Sequence, residues 1–299
     1  MIIRSLLRRP SAVQSLVATP ARRIFSPLLS IRHEHTRPTL ANHEQLRQNG
    51  IPGLFSPKGF SIAYDQYQEA LVDDLNTLTA GKPEENLNVQ DLLIRWARDP
   101  MHAWNFNVAS MAYNNHFFFC GLATNPDVES TPTSDLTAKI NDDFSSLHSL
   151  REEFLNTADA MFGPGFVWLV QLNKIEGRPL RILPTYIAGS PLSGAHYRRQ
   201  SHDLNTHNPD SYKGLNPVGT FGQAAQIQDN TPKPPLGGVD ITPLLCLNTW
   251  EHVWLHDYGI RGKSEYFQAW WDKINWDFVQ SKGLFARVSG DAQRNNFKS

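Results

Sequence analysis

The order of apolar and polar residues divides the chain into a helical first half and a second half that mixes strands with helices. Apolar residues at helical spacing, bounded by Gly and Pro breaks, predict helices at 62–78, 88–99, 101–122, 142–161 and 263–279. Short β-rich runs predict strands at 166–172, 180–187 and 243–248. The polar segment 173–179 between the first two strands is typical of a hairpin turn, so we expect an antiparallel pair there.

A long polar stretch at about 193–240 separates the second and third predicted strands. A loop of that length inside a compact domain is either functional or disordered. Basic and acidic residues are mixed along it, so it is not a basic arm. Its three histidines lack the spacing of metal ligands, and we interpret them as surface residues: His196, His202 and His207.

The first 37 residues differ in composition from the rest. They hold seven arginines, no lysine and a single acid, Glu34, with serines and short apolar groups between them. A basic disordered arm that binds nucleic acid is one interpretation of such a segment. Arginine used without lysine and almost without acids is more typical of a mitochondrial transit peptide, and we predict one at 1–37.

The charge of the remaining chain limits its partners. Without those seven arginines and Glu34, residues 38–299 carry 21 basic against 28 acidic side chains, a net charge of −7. A phosphate backbone would repel most of such a surface, so in a ribonucleoprotein we expect protein contacts and limited contact with RNA. No apolar run approaches the length of a membrane-spanning helix. The two cysteines, Cys120 and Cys246, lie in apolar runs without zinc-finger spacing.

Five segments in order resemble the iron/manganese superoxide dismutase family, and they cover most of residues 58–280. These are FNVASMAYNNHFFF, FGPGFVWLVQ, YIAGSPL, PLLCLNTWEHVWL and YFQAWWDKINW. The resemblance implies an α+β fold, in which an N-terminal helical hairpin precedes a three-stranded antiparallel sheet with flanking helices. It also implies a helical domain (58–161) and an α/β domain (162–285) that carries the insertion. We predict a linker or extension before them (38–57) and a tail after them (286–299).

Enzymes of that family hold one redox metal with three histidines, an aspartate and a solvent molecule. By resemblance, His116 and His252 match two of the histidine ligands. Asn248 stands at the position of the aspartate, and Ala63 stands at the position of the first histidine. The carboxylate neutralises the cation and sets its potential, so its loss removes the only anionic ligand.

The surroundings of the implied site have changed as well. Tyr67 and Gln68 replace two family histidines, and Leu71 replaces a gateway tyrosine. The glutamine that anchors the solvent molecule is matched to Ala112 or Phe162, neither of which donates a hydrogen bond. We therefore predict no catalytic residue, no metal and no other cofactor, with His116 and His252 kept as hydrogen-bonded core histidines.

Glu251 and His252 remain from a motif that serves another purpose in the family. In the enzymes this glutamate pairs with the histidine of the partner subunit across a twofold interface, so we predict a retained dimer interface at Glu251 and His252. A local helix cap or an isolated surface charge is the other interpretation of Glu251.

A dismutase-like chain with a degraded site behind a transit peptide resembles the dismutase-like proteins of the fungal mitochondrial ribosomal small subunit, of which two pair as a heterodimer. We therefore predict a structural ribosomal component in the mitochondrial matrix. One alternative is a matrix superoxide dismutase with an atypical metal site. A scaffold or metal-sensing module unrelated to translation is another.

Overall fold

The computed structural model describes residues 35–97, 99–125, 130–173, 175–192, 195 and 240–285. Nearly all of the predicted transit peptide, most of the insertion and the tail after 285 lie outside these residues. Within the described part, no helix is both long and apolar enough to cross a membrane.

Helices form the first half of the described chain. They are α1 (His43–Asn49), α2 (Pro57–Phe60), α3 (Tyr67–Thr79), α4 (Val89–Trp96), α5 (Ala103–Cys120), α6 (Ser134–Phe144) and α7 (Leu147–Ala160). A π-helical turn, Ser61–Gln66, joins α2 to α3 without a break, and it buries three consecutive residues, 63–65. Short 3₁₀ turns precede α4 and α5 at Pro83–Asn86 and Pro100–His102.

The sheet has the predicted three antiparallel strands, β1 (Gly165–Leu172), β2 (Leu180–Tyr186) and β3 (Ile241–Asn248). Their order is β2-β1-β3, so β1 is the central strand. Phe166 of β1 lies opposite Asn248, which fixes the end of β3 beside the start of β1. After the sheet come α8 (Glu251–Tyr258), α9 (Lys263–Trp271) and α10 (Trp276–Lys282). The predicted α+β class is confirmed.

Two helices predicted as continuous are each split in the structure. The run 142–161 breaks at Ser145, whose φ of 70° lies in the left-handed region. The next serine, Ser146, then caps α7 by accepting a hydrogen bond from the amide of Ser149 at 3.0 Å. The run 263–279 breaks before Asn275, which caps α10 through the amide of Phe278 at 3.1 Å. Both breaks occur at side chains that compete with helical hydrogen bonds, which apolar periodicity does not register.

The segment predicted as a linker, 38–57, is folded onto the rest of the protein. It contains α1 and contributes buried apolar side chains to the core: Leu46, Ile51, Leu54 and Phe55. Ser56 binds the carboxylate of Asp257 through both its backbone amide (2.8 Å) and its hydroxyl (2.6 Å). Burial of these apolar side chains stabilises the packing of the segment. Its mostly polar composition had suggested a linker.

Candidate functional site

The four positions matched to metal ligands gather where the π-helical turn, α5, β3 and α8 meet. Ala63 lies in the π-helical turn, His116 in α5, Asn248 at the end of β3 and His252 in the first turn of α8. We call this region the junction. Asn115, next to His116, is hydrogen-bonded both to the carbonyl of Ala63 (3.3 Å) and to the side chain of Asn248 (3.3 Å). Ala63 and Asn248 are therefore linked by their hydrogen bonds to Asn115, which is not one of the matched positions.

Three buried side-chain amides run through the junction in one continuous chain, which we call the amide chain. Asn248 Nδ2 donates to Asn115 Oδ1 at 3.3 Å, and Asn115 Nδ2 donates to Gln68 Oε1 at 3.1 Å. Gln68 Nε2 then donates to the carbonyl of Ala112 at 2.9 Å. At the other end, the amide of Trp250 donates to Asn248 Oδ1 at 3.0 Å. The amide chain thus links β3, α5 and α3 by hydrogen bonds alone.

His116 is hydrogen-bonded as predicted, and its partners come from outside the family pattern. The Tyr64 hydroxyl lies 2.8 Å from His116 Nδ1 and donates its proton to the carbonyl of Pro38 at 2.9 Å. Because that proton is used, His116 Nδ1 carries a hydrogen and donates it to the Tyr64 oxygen. Burial lowers the pKa of His116, with a smaller contribution from Lys282. The imidazole is therefore neutral at pH 7.

His252 differs from His116, and here the prediction of a hydrogen-bonded histidine is wrong for one ring nitrogen. Its Nε2 is buried and has no hydrogen-bond partner among the described residues. The ring instead packs against that of Tyr67, with 3.9 Å between centroids and 31° between the ring planes. Burial lowers the pKa of His252 to about 4. Aromatic packing therefore holds this residue in the neutral form.

Cys120 lies close to the His116 ring without forming a reactive pair. Its sulfur is 3.4 Å from Nε2 and 3.9 Å from Nδ1. A sulfur almost equally far from both nitrogens is off the lone-pair axis of each, so the imidazole is not placed to take the thiol proton. Burial also raises the pKa of the Cys120 thiol. Cys246 is fully buried, and burial raises its pKa further above the ordinary value.

Of the other matched positions, Ala112 and Leu71 are in the interior and Phe162 is not. Ala112 is buried and contributes its carbonyl to the amide chain, and Leu71 is also buried. Phe162 is 97% exposed, so it cannot stand in for a residue that lines the junction. The Phe162 side chain points outward from the turn before β1, so it contributes neither a hydrogen bond nor packing to the junction.

The donor set of the junction does not fit iron or manganese. Ala63 has no ligating atom, and both functional atoms of Asn248 are used in the amide chain. His116 Nδ1 is bonded to Tyr64, which leaves too few donors and no anionic oxygen for a hard or borderline cation. Within the described residues, no group of three or more His, Cys, Asp and Glu side chains is arranged to hold a metal ion.

The outer side of α8 is open and partly apolar. Glu251 is exposed in the first turn, and Leu255 is 41% exposed one turn later. The residue after β2 lies beside the start of α8, because Trp250 Nε1 donates to the carbonyl of Ile187 at 3.3 Å. Tyr186 and Ile187 are 52% and 59% exposed. We call Tyr186, Ile187, Glu251 and Leu255 the pairing surface, because Glu251 belongs to the predicted dimer interface; the ring of His252, the other residue of that prediction, packs against Tyr67 in the junction.

Sequence reasoning missed the residues that organise the junction, namely Tyr64, Gln68 and Asn115. Gln68 and Asn115 are 1% and 0% exposed, yet an amide side chain carries no pattern that separates buried from surface use. Tyr64 belonged to the predicted apolar periodicity, which indicated burial and gave no sign of its bond to His116. The one available signal was that Asn115 directly precedes His116.

Comparisons with known proteins agree with this geometry. The model of the family "Iron/manganese superoxide dismutases, C-terminal domain" matches residues 132–198 and 218–282. Small ribosomal subunit protein mS43 of Schizosaccharomyces pombe is 30% identical over 256 residues, which cover 83% of this chain and 84% of that protein. Small ribosomal subunit protein mS42 of the same organism is 29% identical over 202 residues, 66% of this chain and 74% of that protein.

An enzyme is also among the relatives. Superoxide dismutase [Fe] of Nostoc sp. is 29% identical over 235 residues, which cover 78% of this chain and 90% of that enzyme. The similarity to the ribosomal proteins and the similarity to the enzyme thus each cover 66% or more of this chain.

Proposed function

The chain belongs to the iron/manganese superoxide dismutase family, and from that premise we propose that it is a non-catalytic structural component of the small subunit of the mitochondrial ribosome. The observation that carries the proposal is the similarity to small ribosomal subunit protein mS43, which extends over 83% of this chain and 84% of that protein. The donor set of the junction supports the absence of dismutase activity, since a redox metal needs ligands that Ala63 and Asn248 do not provide.

The pairing surface supports a second dismutase-like chain as the direct partner. Glu251 presents an exposed charge on the same helix as the exposed Leu255, an arrangement that fits the polar rim of an interface with apolar groups nearer its centre. Ile187 has a φ of 54°, in a region that a β-branched residue rarely adopts. Backbone strain of this kind clusters at functional positions. The chain would thus form a heterodimer through the side of α8 that points away from the junction.

The charge of residues 38–299 supports docking through ribosomal proteins with limited contact to rRNA. A net charge of −7 makes extended binding to a phosphate backbone unfavourable. The predicted transit peptide at 1–37 would direct the chain to the mitochondrial matrix, where the ribosome assembles. The insertion at about 193–240 is a candidate for ribosomal contacts of its own.

Sedimentation of a mitochondrial lysate tests the proposal. The chain should co-migrate with the small-subunit rRNA through a sucrose gradient. When the subunits are separated by lowering magnesium, it should remain with the small one. A soluble matrix enzyme followed on the same gradient marks the position of free proteins. Recovery of the chain at that position with superoxide-consuming activity would establish the atypical dismutase instead, and recovery there without activity would favour a free scaffold or sensor.

A further inference from the structure

We propose that the amide chain is a metal-independent cross-link of the junction, and that the direction of its hydrogen bonds requires asparagine rather than aspartate at position 248. Asn248 is then a structural requirement of this chain and more than a lost ligand. The proposal concerns how the chain folds, so its tests can fail or succeed independently of membership in the ribosome.

The direction of the amide chain is set by a backbone group at each end. At the first end the amide of Trp250 can only donate, and it lies 3.0 Å from Asn248 Oδ1. At the last end the carbonyl of Ala112 can only accept, and it lies 2.9 Å from Gln68 Nε2. Between them each side-chain oxygen accepts and each side-chain nitrogen donates toward Ala112. Neither backbone group can change its role.

An aspartate at 248 cannot be fitted into this arrangement by rotating the other amides. Its ionised carboxylate would accept from Trp250 and would have no proton for Asn115 Oδ1; protonation would supply one, but only at the free-energy cost of keeping an acid with an ordinary pKa of about 3.9 neutral at pH 7. Turning the Asn115 amide would supply a donor there and would aim its oxygen at Gln68 Oε1 and the Ala63 carbonyl. Turning Gln68 in response would aim its oxygen at the Ala112 carbonyl. With an ionised aspartate, one of the three hydrogen bonds between residue 248 and the Ala112 carbonyl would therefore be replaced by two oxygens with no proton between them, whichever amides rotate.

The surroundings offer no relief from this mismatch. The three side chains are 0%, 0% and 1% exposed, so bulk water does not reach the unpaired oxygens. Low local polarity makes an unpaired buried group more costly than the same group at the surface.

Thermal unfolding of the full chain carrying Asn248→Asp or Asn248→Ala tests the proposal. Aspartate has nearly the shape of asparagine, so a merely space-filling role predicts that alanine is the more damaging change. Alanine leaves the Trp250 amide and Asn115 Oδ1 unpaired. Aspartate keeps the bond from Trp250 but places a buried carboxylate against Asn115 Oδ1, and a buried charge without a partner costs more than neutral groups without one. A directed amide chain therefore predicts the reverse order. We expect Asn248→Asp to unfold about 4–8 °C below Asn248→Ala, the shift for about 2 kcal/mol in a domain of this size.

Asn275→Asp is the matched control, since there the side-chain oxygen accepts from the amide of Phe278 as a helix cap. Asparagine and aspartate cap helices about equally well, so the control should unfold within about 2 °C of the unmodified chain. Failure of Asn248→Asp to accumulate in soluble form while Asn248→Ala folds would support the proposal. Equal losses for the two variants, including equal failure to fold, or a more stable Asn248→Asp, would overturn it.

Discussion

The junction and the pairing surface lie within eight residues of each other along the chain, at Asn248 and Leu255, and they have opposite properties. The junction is mostly buried, and at the positions matched to the family's metal ligands it has Ala63 and Asn248 beside His116 and His252. The pairing surface keeps an exposed acid and exposed apolar groups on the outer side of the same helix. The predicted loss of chemistry and the proposed pairing thus concern two regions that packing constrains separately.

The largest expected effect is inside, at the centre of the amide chain. Asn115→Leu would leave Asn248 Nδ2 and Gln68 Oε1 without partners in the interior, at a cost of about 2–4 kcal/mol in the free energy of unfolding. Urea unfolding of the isolated chain measures this loss. Asn156→Leu, at an exposed position of α7, should change the same quantity by no more than about 0.5 kcal/mol. Similar losses of unfolding free energy in the two variants would contradict the expectation that the buried amide chain stabilises the fold more than an exposed side chain does.

The second effect is a dependence on pH that originates at His252. Since burial lowers its pKa to about 4, the unfolded chain binds a proton below about pH 6.5 that the folded chain does not bind until about pH 4. The stabilising contribution is complete above pH 6.5 and is lost as the pH falls toward 4. His252→Gln should therefore reduce the loss of unfolding free energy between pH 7 and 4.5 by about 2–3 kcal/mol.

Urea titrations at the two pH values would detect this change, with His148→Gln as the control because His148 is exposed on α7. The control should follow the unmodified chain at both pH values. Parallel behaviour of His252→Gln and the unmodified chain would mean that the buried ring does not contribute to the acid sensitivity of the fold.

The smallest effect on the chain itself is expected at the pairing surface. Glu251→Lys reverses an exposed charge, so it should change the unfolding free energy by no more than about 0.5 kcal/mol. Its association with a second dismutase-like chain should nevertheless weaken by about tenfold, the effect of about 1.4 kcal/mol at an interface. Co-purification of the partner measures this. The matched change Glu153→Lys, exposed on α7, should leave pairing intact; unchanged pairing in both variants would argue for the local-cap interpretation of Glu251.

The sequence was sufficient for the strands and most helices, because their apolar periodicity follows directly from burial. It failed where side chains interrupt helices, at Ser145 and Asn275, since capping competes with the periodic pattern only locally. The segment 38–57 was misjudged because a few buried apolar side chains decide its packing, whereas its average composition is polar.

The sequence could predict which ligand types are absent from the candidate site, but it could not predict the hydrogen-bonded amides found there. Ala63 and Asn248 are visible as changes against the family motif, because ligand chemistry admits few residue types. The amide chain joins residues 68, 115 and 248, which are far apart in sequence and of types that are mostly found at surfaces. Only the three-dimensional arrangement reveals that these amides share one direction.

The metal content of the purified chain tests the central claim, a junction held together without metal, most directly. The chain would be produced with iron and manganese supplied in excess, and metal per chain would be measured alongside the unfolding temperature with and without a chelator. We expect far less than one iron or manganese per chain and an unfolding temperature unaffected by the chelator. One metal ion per chain, with a lower unfolding temperature after its removal, would contradict the account.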